Sequence, residues 1–213
     1  AAARSGQVVP VYILEDQIGK GKDQIPSGLQ QSHTMGEATK LWLHYALSSL
    51  QSDLQDKLVL RRGIAEHILR ELIDETGAQQ VTMTRCYAPH QSETDRNIEQ
   101  KLQQKGIKIS IETGNLLWEP EQITKQDGTP YKVFTPFYRR GCLAAHPPRK
   151  PLPRPNIDFY ADKKISGLTI DALDLKPSLK WTDKVASEWE ISETGAQAAL
   201  QRFILSAHPN GLH

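Results

Sequence analysis

The chain has little of what marks the common single-motif chemistries. Of its 213 residues only two are cysteine, Cys86 and Cys142. Two cysteines make no disulfide framework, and their spacing matches no metal-ligand pattern. A reducing compartment, and so the cytoplasm, is the expected location. No run of 18 apolar residues exists, so no transmembrane helix and no membrane partner are expected. Residues 1–7 lack the apolar stretch of a signal peptide. Charge of one sign is lacking too. Twenty-six lysines and arginines stand against 25 acids, a net charge of +1. Bulk charge therefore gives no reason to expect a nucleic-acid partner, although a local basic patch is compatible with it.

Signature loops are equally scarce. There is no G-x-G-x-x-G after a strand, no Walker A loop, no H-E-x-x-H and no G-x-S-x-G. Gly19-Lys20-Gly21-Lys22 lacks phosphate-cradle spacing and reads as a mobile loop. Seven histidines are scattered along the chain, and no metal site is expected.

What the sequence does have is alternation. Residues 8–14 (VVPVYIL) form an apolar run of strand length. Pro10 is tolerable there where that end is not fully laddered. Residues 15–33 show no apolar period and read as a long loop, a length often tied to function. Over residues 36–55, Leu43, Leu47, Leu50 and Leu54 fall on one helical face. Residues 57–60 make a short strand. Ile64, Ile68, Leu69, Leu72 and Ile73 make a second helical face, closed near Gly77. Residues 80–84 make a strand, and 92–105 a polar helix with Ile98 and Leu102 inward, ending at Gly106. Residues 107–111 alternate as another strand.

Strands alternating with helices predict an α/β fold: a Rossmann-like open parallel sheet with helices on both faces and right-handed crossovers. Ligands of such sheets bind outside the strands' carboxyl ends, which singles out residues 15–33, 61–63 and 85–92. Arg61 and Arg62 suit an anion or, equally, a solvated loop. The stretch from Arg85 to Gln91 is either a binding edge or an ordinary loop whose tyrosine packs on the next helix. Asp95 near that helix's start suits the positive helix end.

After Thr113 the character changes. Residues 131–138 (YKVFTPFY) are densely aromatic, fit for a partner surface, for packing on this chain, or for both. Residues 141–155 hold five prolines and three cationic residues and make no regular element. Residues 168–186 are leucine-rich. Over residues 190–205 helical periodicity returns, with Ala196, Leu200 and Phe203 or Ile204 expected inward. Residues 1–130 are therefore expected as one α/β domain, and 131–213 as its end plus a connector. The whole reads as one domain of a larger protein, unable to perform that protein's chemistry alone.

Several segments resemble the DNA photolyase and cryptochrome family. They are Leu58-Val59-Leu60-Arg61-Arg62-Gly63, Tyr87 with Asp95 eight residues on, and above all Tyr131-Lys132-Val133-Phe134-Thr135-Pro136-Phe137, whose K-V-[FY]-T-P-[FY] run is a hallmark of the family's first domain. Residues 36–43 (GEATKLWL) look like the start of the family's second helix, with Lys40 where the family usually carries arginine. Trp181 and residues 190–203 resemble the connector into a flavin-binding helical domain. The resemblance covers nearly the whole chain, in the family's order.

That resemblance implies the antenna-side domain of a light-driven repair flavoprotein, a cyclobutane pyrimidine dimer photolyase. The parent would carry FAD and an antenna such as methenyltetrahydrofolate or a deazaflavin. This chain would require no cofactor of its own and be inactive by itself. Its expected partners are the absent C-terminal FAD-binding domain and, through the parent, damaged DNA, whose lesion flips toward the flavin. The family's first strand, central to its sheet, is also missing, so a non-standard sheet edge or self-association is expected. Antenna residues carry over as His33, near a folate-contacting histidine, with Lys40, His90 and Gln91. The last two stand where folate binders place an asparagine–glutamate pair. The glutamate that would bond the pterin is thus replaced by a glutamine with one acceptor and one donor group. A cryptochrome-type photoreceptor domain and a nucleotide-binding module are the alternatives.

Overall fold

The computed structural model describes residues 1–15, 35–161 and 165–207. The expected loop over residues 15–33, with His33 and the 19–22 run, lies outside them apart from Glu15. The chain divides into two compact units. One comprises Val8–Thr76 with Phe159–His213, the other Ala1–Gln7 with Gly77–Asp158.

In the first unit, strand β1 (Val11–Leu14) is followed by helix α1 (Glu37–Asp53), strand β2 (Val59–Arg62) and helix α2 (Ala65–Thr76). β1 and β2 run parallel, with Val11 opposite Val59 and Leu14 opposite Arg62. Side chains alternate across a strand, and the core follows that alternation. Leu58 and Leu60 pack with Tyr12 and Leu14 against Leu47 of α1 and against Leu173 and Leu175. Val59 packs on the other face with Val11 and Ile13 against Ile68 and Leu72 of α2. The β1–β2 pair is thus covered on both faces, as continuous apolar runs in parallel strands require. Its outer edge is covered as well. The Leu168 amide donates to the Leu60 carbonyl at 2.8 Å, and a Cβ on Gly167 would come within 3.4 Å of the Leu60 nitrogen.

In the second unit, strand β3 (Gln80–Thr84), helix α3 (Pro89–Gln103) and strand β4 (Lys108–Glu112) form a β-α-β turn of parallel strands. Ile98 and Leu102 are buried as expected. Gly77 and Gly106 sit at φ +69° and +77° just past α2 and α3, the left-handed position at which helices commonly end. Beyond β4 come a 3₁₀ turn (Pro120–Gln122), the short helix α4 (Phe134–Pro136) and a π-helical turn (Phe137–Cys142). Back in the first unit, a 3₁₀ turn (Asp171–Leu173) precedes α5 (Trp181–Glu188) and α6 (Glu193–Ala207).

The fold is the expected α/β alternation of parallel strands and helices. The strands pair as two two-stranded sheets, β1–β2 and β3–β4, and Ala2–Arg4 form a 3₁₀ turn. Two local expectations are corrected. The third helix begins at Pro89 rather than Ser92, because proline at the first helical position is preset in φ and lacks only an N–H that would be unsatisfied there. The face of α6 expected inward is exposed: Leu200 is 58 % and Phe203 68 % exposed. Only the start of α6 is packed, where Gly195 lies against Glu190.

Candidate functional site

The carboxyl end of β3 carries the most developed polar network in the second unit. The strand's hydrogen bonding continues one residue past Thr84, with the Arg85 amide donating to the Glu112 carbonyl at 2.9 Å. The chain then turns into α3. Two side chains of that helix hold the turn. Asp95 Oδ2 accepts the Cys86 amide at 3.3 Å, and the Ser92 hydroxyl donates to the Cys86 carbonyl at 2.7 Å. Asp95 therefore ties down the preceding loop besides lying near the helix's positive end.

Above this turn Arg85 spans two carboxylates. Nη1 lies 2.9 Å from Glu119 Oε2, and Nη2 lies 3.0 Å from Glu121 Oε1. The Tyr87 hydroxyl donates to the other Glu119 oxygen at 2.7 Å. The guanidinium stands 5.5 Å from the Tyr87 ring centroid, within cation–π range. Glu119 is placed by a capping box at the 3₁₀ turn, its amide donating to Gln122 Oε1 at 2.8 Å.

The electrostatics follow from these contacts. Hydrogen bonding to Glu119 raises the Tyr87 phenol above its usual pKa, with burial and the Glu119 charge adding to it. Bonding to Glu121 likewise raises Arg85. Burial, then the charge of Asp95, pushes the Cys86 thiol up. A thiol held protonated is a poor nucleophile. The network is a charged clamp fixing the βα turn. Glu119 and Glu121 had no signal in sequence, standing 34 and 36 residues beyond Arg85.

His90 and Gln91 fall in the first turn of α3, immediately after this clamp. Gln91 is exposed. Lys40 lies in the first unit, on α1, where its ammonium pairs with Glu37 at 2.7 Å. His90 and Gln91 are thus neighbours, Lys40 belongs to the other unit, and His33 falls outside the described residues. Arg61 and Arg62, expected just after a strand over 57–60, are the last two residues of β2, and Arg61 contacts both oxygens of Glu75 at 3.2 and 3.1 Å. Glu15 Oε1 accepts the Ala65 amide at 3.0 Å, at the start of α2.

A groove of about 560 Å³ in the first unit lies between α1 and the start of α6, lined by Trp42, Leu50, Trp189, Ile191, Ala196 and Arg202. Trp42 and Trp189 meet edge to face at 5.7 Å. Nothing in the local sequence foretold it, because its two tryptophans are far apart in the chain. Among the described residues no cluster of metal ligands occurs, and no helix is long and apolar enough to cross a membrane.

The aromatic stretch divides. Tyr131 packs edge to face on Phe137 at 6.3 Å and covers Gly141, while Phe134 and Tyr138 stack on each other at 5.8 Å and stay exposed.

A family model for DNA photolyase matches residues 1–156. The chain belongs to the DNA photolyase family. It is 36 % identical over 212 residues to a deoxyribodipyrimidine photo-lyase of Agrobacterium fabrum, covering 96 % of this chain and 40 % of that protein. It is 25 % identical over 211 residues to cryptochrome-1 of Arabidopsis thaliana, covering 96 % of this chain and 29 % of that protein. A bacterial class III photolyase from Agrobacterium tumefaciens superposes with a TM-score of 0.80 at 34 % identity, over 93 % of this chain and 39 % of that one. The chain thus spans about two fifths or less of these photolyase-family relatives, as an N-terminal photolyase-type domain.

Proposed function

We propose that this chain is the antenna-side domain of a light-driven DNA-repair flavoprotein acting on cyclobutane pyrimidine dimers. The match to photo-lyases over nearly the whole chain, but only about two fifths of theirs, is the observation that carries this reading. On it, residues 1–130 form the α/β domain and 131–213 its end and connector. FAD and the repair chemistry belong to a helical domain outside the chain, and the protein works in the cytoplasm. The exposed apolar face of α6, with Leu200, Phe203 and Ile204, supports this reading, since such a face suits burial against a further domain.

The antenna is assigned to the βα edge, with Gln91 and His90 at the start of α3. Gln91 is exposed and has no hydrogen-bond partner among the described residues, so its amide is open to a ligand's polar edge. Lys40, paired with Glu37, and His33 are the further positions that the resemblance carries over. A bound antenna supplies light absorption and energy transfer; this chain's part is to hold it.

The test is the absorbance spectrum of the purified parent protein and of this chain. A flavin band and a second, folate- or deazaflavin-type band in the parent, the second weakened by Gln91→Ala, is expected. A parent with no flavin, or a bound adenine nucleotide in its place, would overturn the reading in favour of a nucleotide-binding module.

A further inference from the structure

Charge is near balance over the chain but not along it. Residues 129–157 hold six of the 26 lysines and arginines and none of the 25 acids. All six cations, Lys132, Arg139, Arg140, Arg149, Lys150 and Arg154, are exposed. Lys132, Arg139, Arg140, Arg149 and Lys150 form no ion pair with any described residue. The acids that precede this stretch most closely in sequence are already engaged. Glu119 and Glu121 bind Arg85, and Asp127 accepts the Thr129 amide at 2.9 Å and its hydroxyl at 2.6 Å.

Two structural features present these cations outward. Gly141 is pressed against Ile123 and Tyr131, with room for no side chain, which fixes the π-helical turn carrying Arg139 and Arg140. The Trp118 indole donates to the His146 carbonyl at 2.8 Å. Beyond that anchor five prolines keep the chain out of helix and sheet, so Arg149, Lys150 and Arg154 are strung along an exposed segment without regular secondary structure. Beside Arg139 in sequence, Phe134 and Tyr138 stack with their planes 7° apart and are 72 % and 46 % exposed. Cations that follow a backbone, next to exposed ring faces, are the two parts of a single-strand-tolerant nucleic-acid surface.

We propose that residues 132–154 form a nucleic-acid-binding face of this domain, its cations on phosphates and the Phe134–Tyr138 pair on unstacked bases. The proposal rests on the repair reading only for the identity of the nucleic acid as DNA. It adds a contact surface on the α/β side, separate from the flavin-bearing part.

The experiment is fluorescence anisotropy of a labelled DNA duplex and a labelled single strand against the full chain, from about 50 to about 200 mM salt. Variants are Arg139→Ala/Arg140→Ala/Arg149→Ala/Lys150→Ala, its all-lysine counterpart at the three arginines, and Phe134→Ala/Tyr138→Ala. Circular dichroism and thermal melting confirm that each is folded. Each lost phosphate contact removes about 0.9 from the slope of log affinity against log salt on duplex. The quadruple alanine variant is therefore expected to lose about 3 to 4 of slope and more than tenfold in affinity, and the lysine variant to keep the slope. The aromatic variant is expected to lose roughly tenfold on single strand with the slope unchanged. No binding at about 50 mM salt, or a quadruple variant with unaltered slope, overturns the proposal. So does polyglutamate displacing DNA at equal charge, which would point to an acidic protein partner. None of these outcomes changes the flavin spectrum of the parent, so failure here leaves the repair reading standing.

Discussion

Tyr87 donates its phenolic hydrogen to Glu119 Oε1 at 2.7 Å while Arg85 holds the other oxygen of the same carboxylate at 2.9 Å. One carboxylate thus joins the end of β3 to the 3₁₀ turn that follows β4. The clamp sets where α3 begins, and with it the place of His90 and Gln91.

The Tyr87–Glu119 bond has a pH signature. The folded phenol titrates above its usual value, chiefly through that bond, while the unfolded one titrates near 10. The bond's stabilisation is then complete below about pH 10 and is lost as pH rises through the folded value. Glu119→Gln removes the charge and is expected to bring the Tyr87 titration down, read as tyrosinate absorbance with Tyr87→Phe as the reference. An unchanged titration would mean that the phenol does not depend on that carboxylate.

Gly141 makes a prediction about packing. A Cβ there would lie 2.7 Å from Ile123 Cγ2 and 3.2 Å from Tyr131 Cε2, closer than side chains tolerate. Gly141→Ala is expected to cost about 1–3 kcal/mol of stability, the usual range for overpacking, measured by urea denaturation. Coupling identifies the cause: with Ile123→Ala in the same chain, the two costs are expected to sum to less than their separate values.

The outer face of α6 is expected to behave as surface in this chain alone. Phe203→Asp, at a residue 68 % exposed, should change the chain's own stability by less than about 0.5 kcal/mol. In the parent the same change is expected to lower the melting temperature and loosen flavin retention. A large loss of stability in the isolated chain would show instead that α6 packs on the chain's own core.

These cases also mark what the sequence disclosed. The continuous apolar run of residues 8–14, and the alternation of strands with helices after it, foretold parallel strands covered on both faces, because burial leaves its mark in the side chains themselves. Ile98 and Leu102 were legible for the same reason. Pro89 was misread because proline breaks a helix everywhere but at its start. α6 was misread because periodicity reports an apolar face without saying which molecule covers it. Of the site, the Arg85–Gln91 stretch was legible as the edge after a strand. Its clamp was not, since Glu119 and Glu121 reach Arg85 from a distant turn and carry no local pattern. The groove between Trp42 and Trp189 was hidden in the same way. The basic run at 132–154 lay open in the sequence but was masked by a net charge of +1.

The most direct test of the central claim is a repair assay under blue light, with dimer-containing oligonucleotide, on the parent protein and on this chain alone. Light-dependent loss of cyclobutane dimers by the parent, and none by the chain, is the expected result. A flavin-loaded parent that leaves the dimers intact would contradict the repair reading and favour a photoreceptor, and repair by this chain alone would contradict its assignment as the antenna-side part.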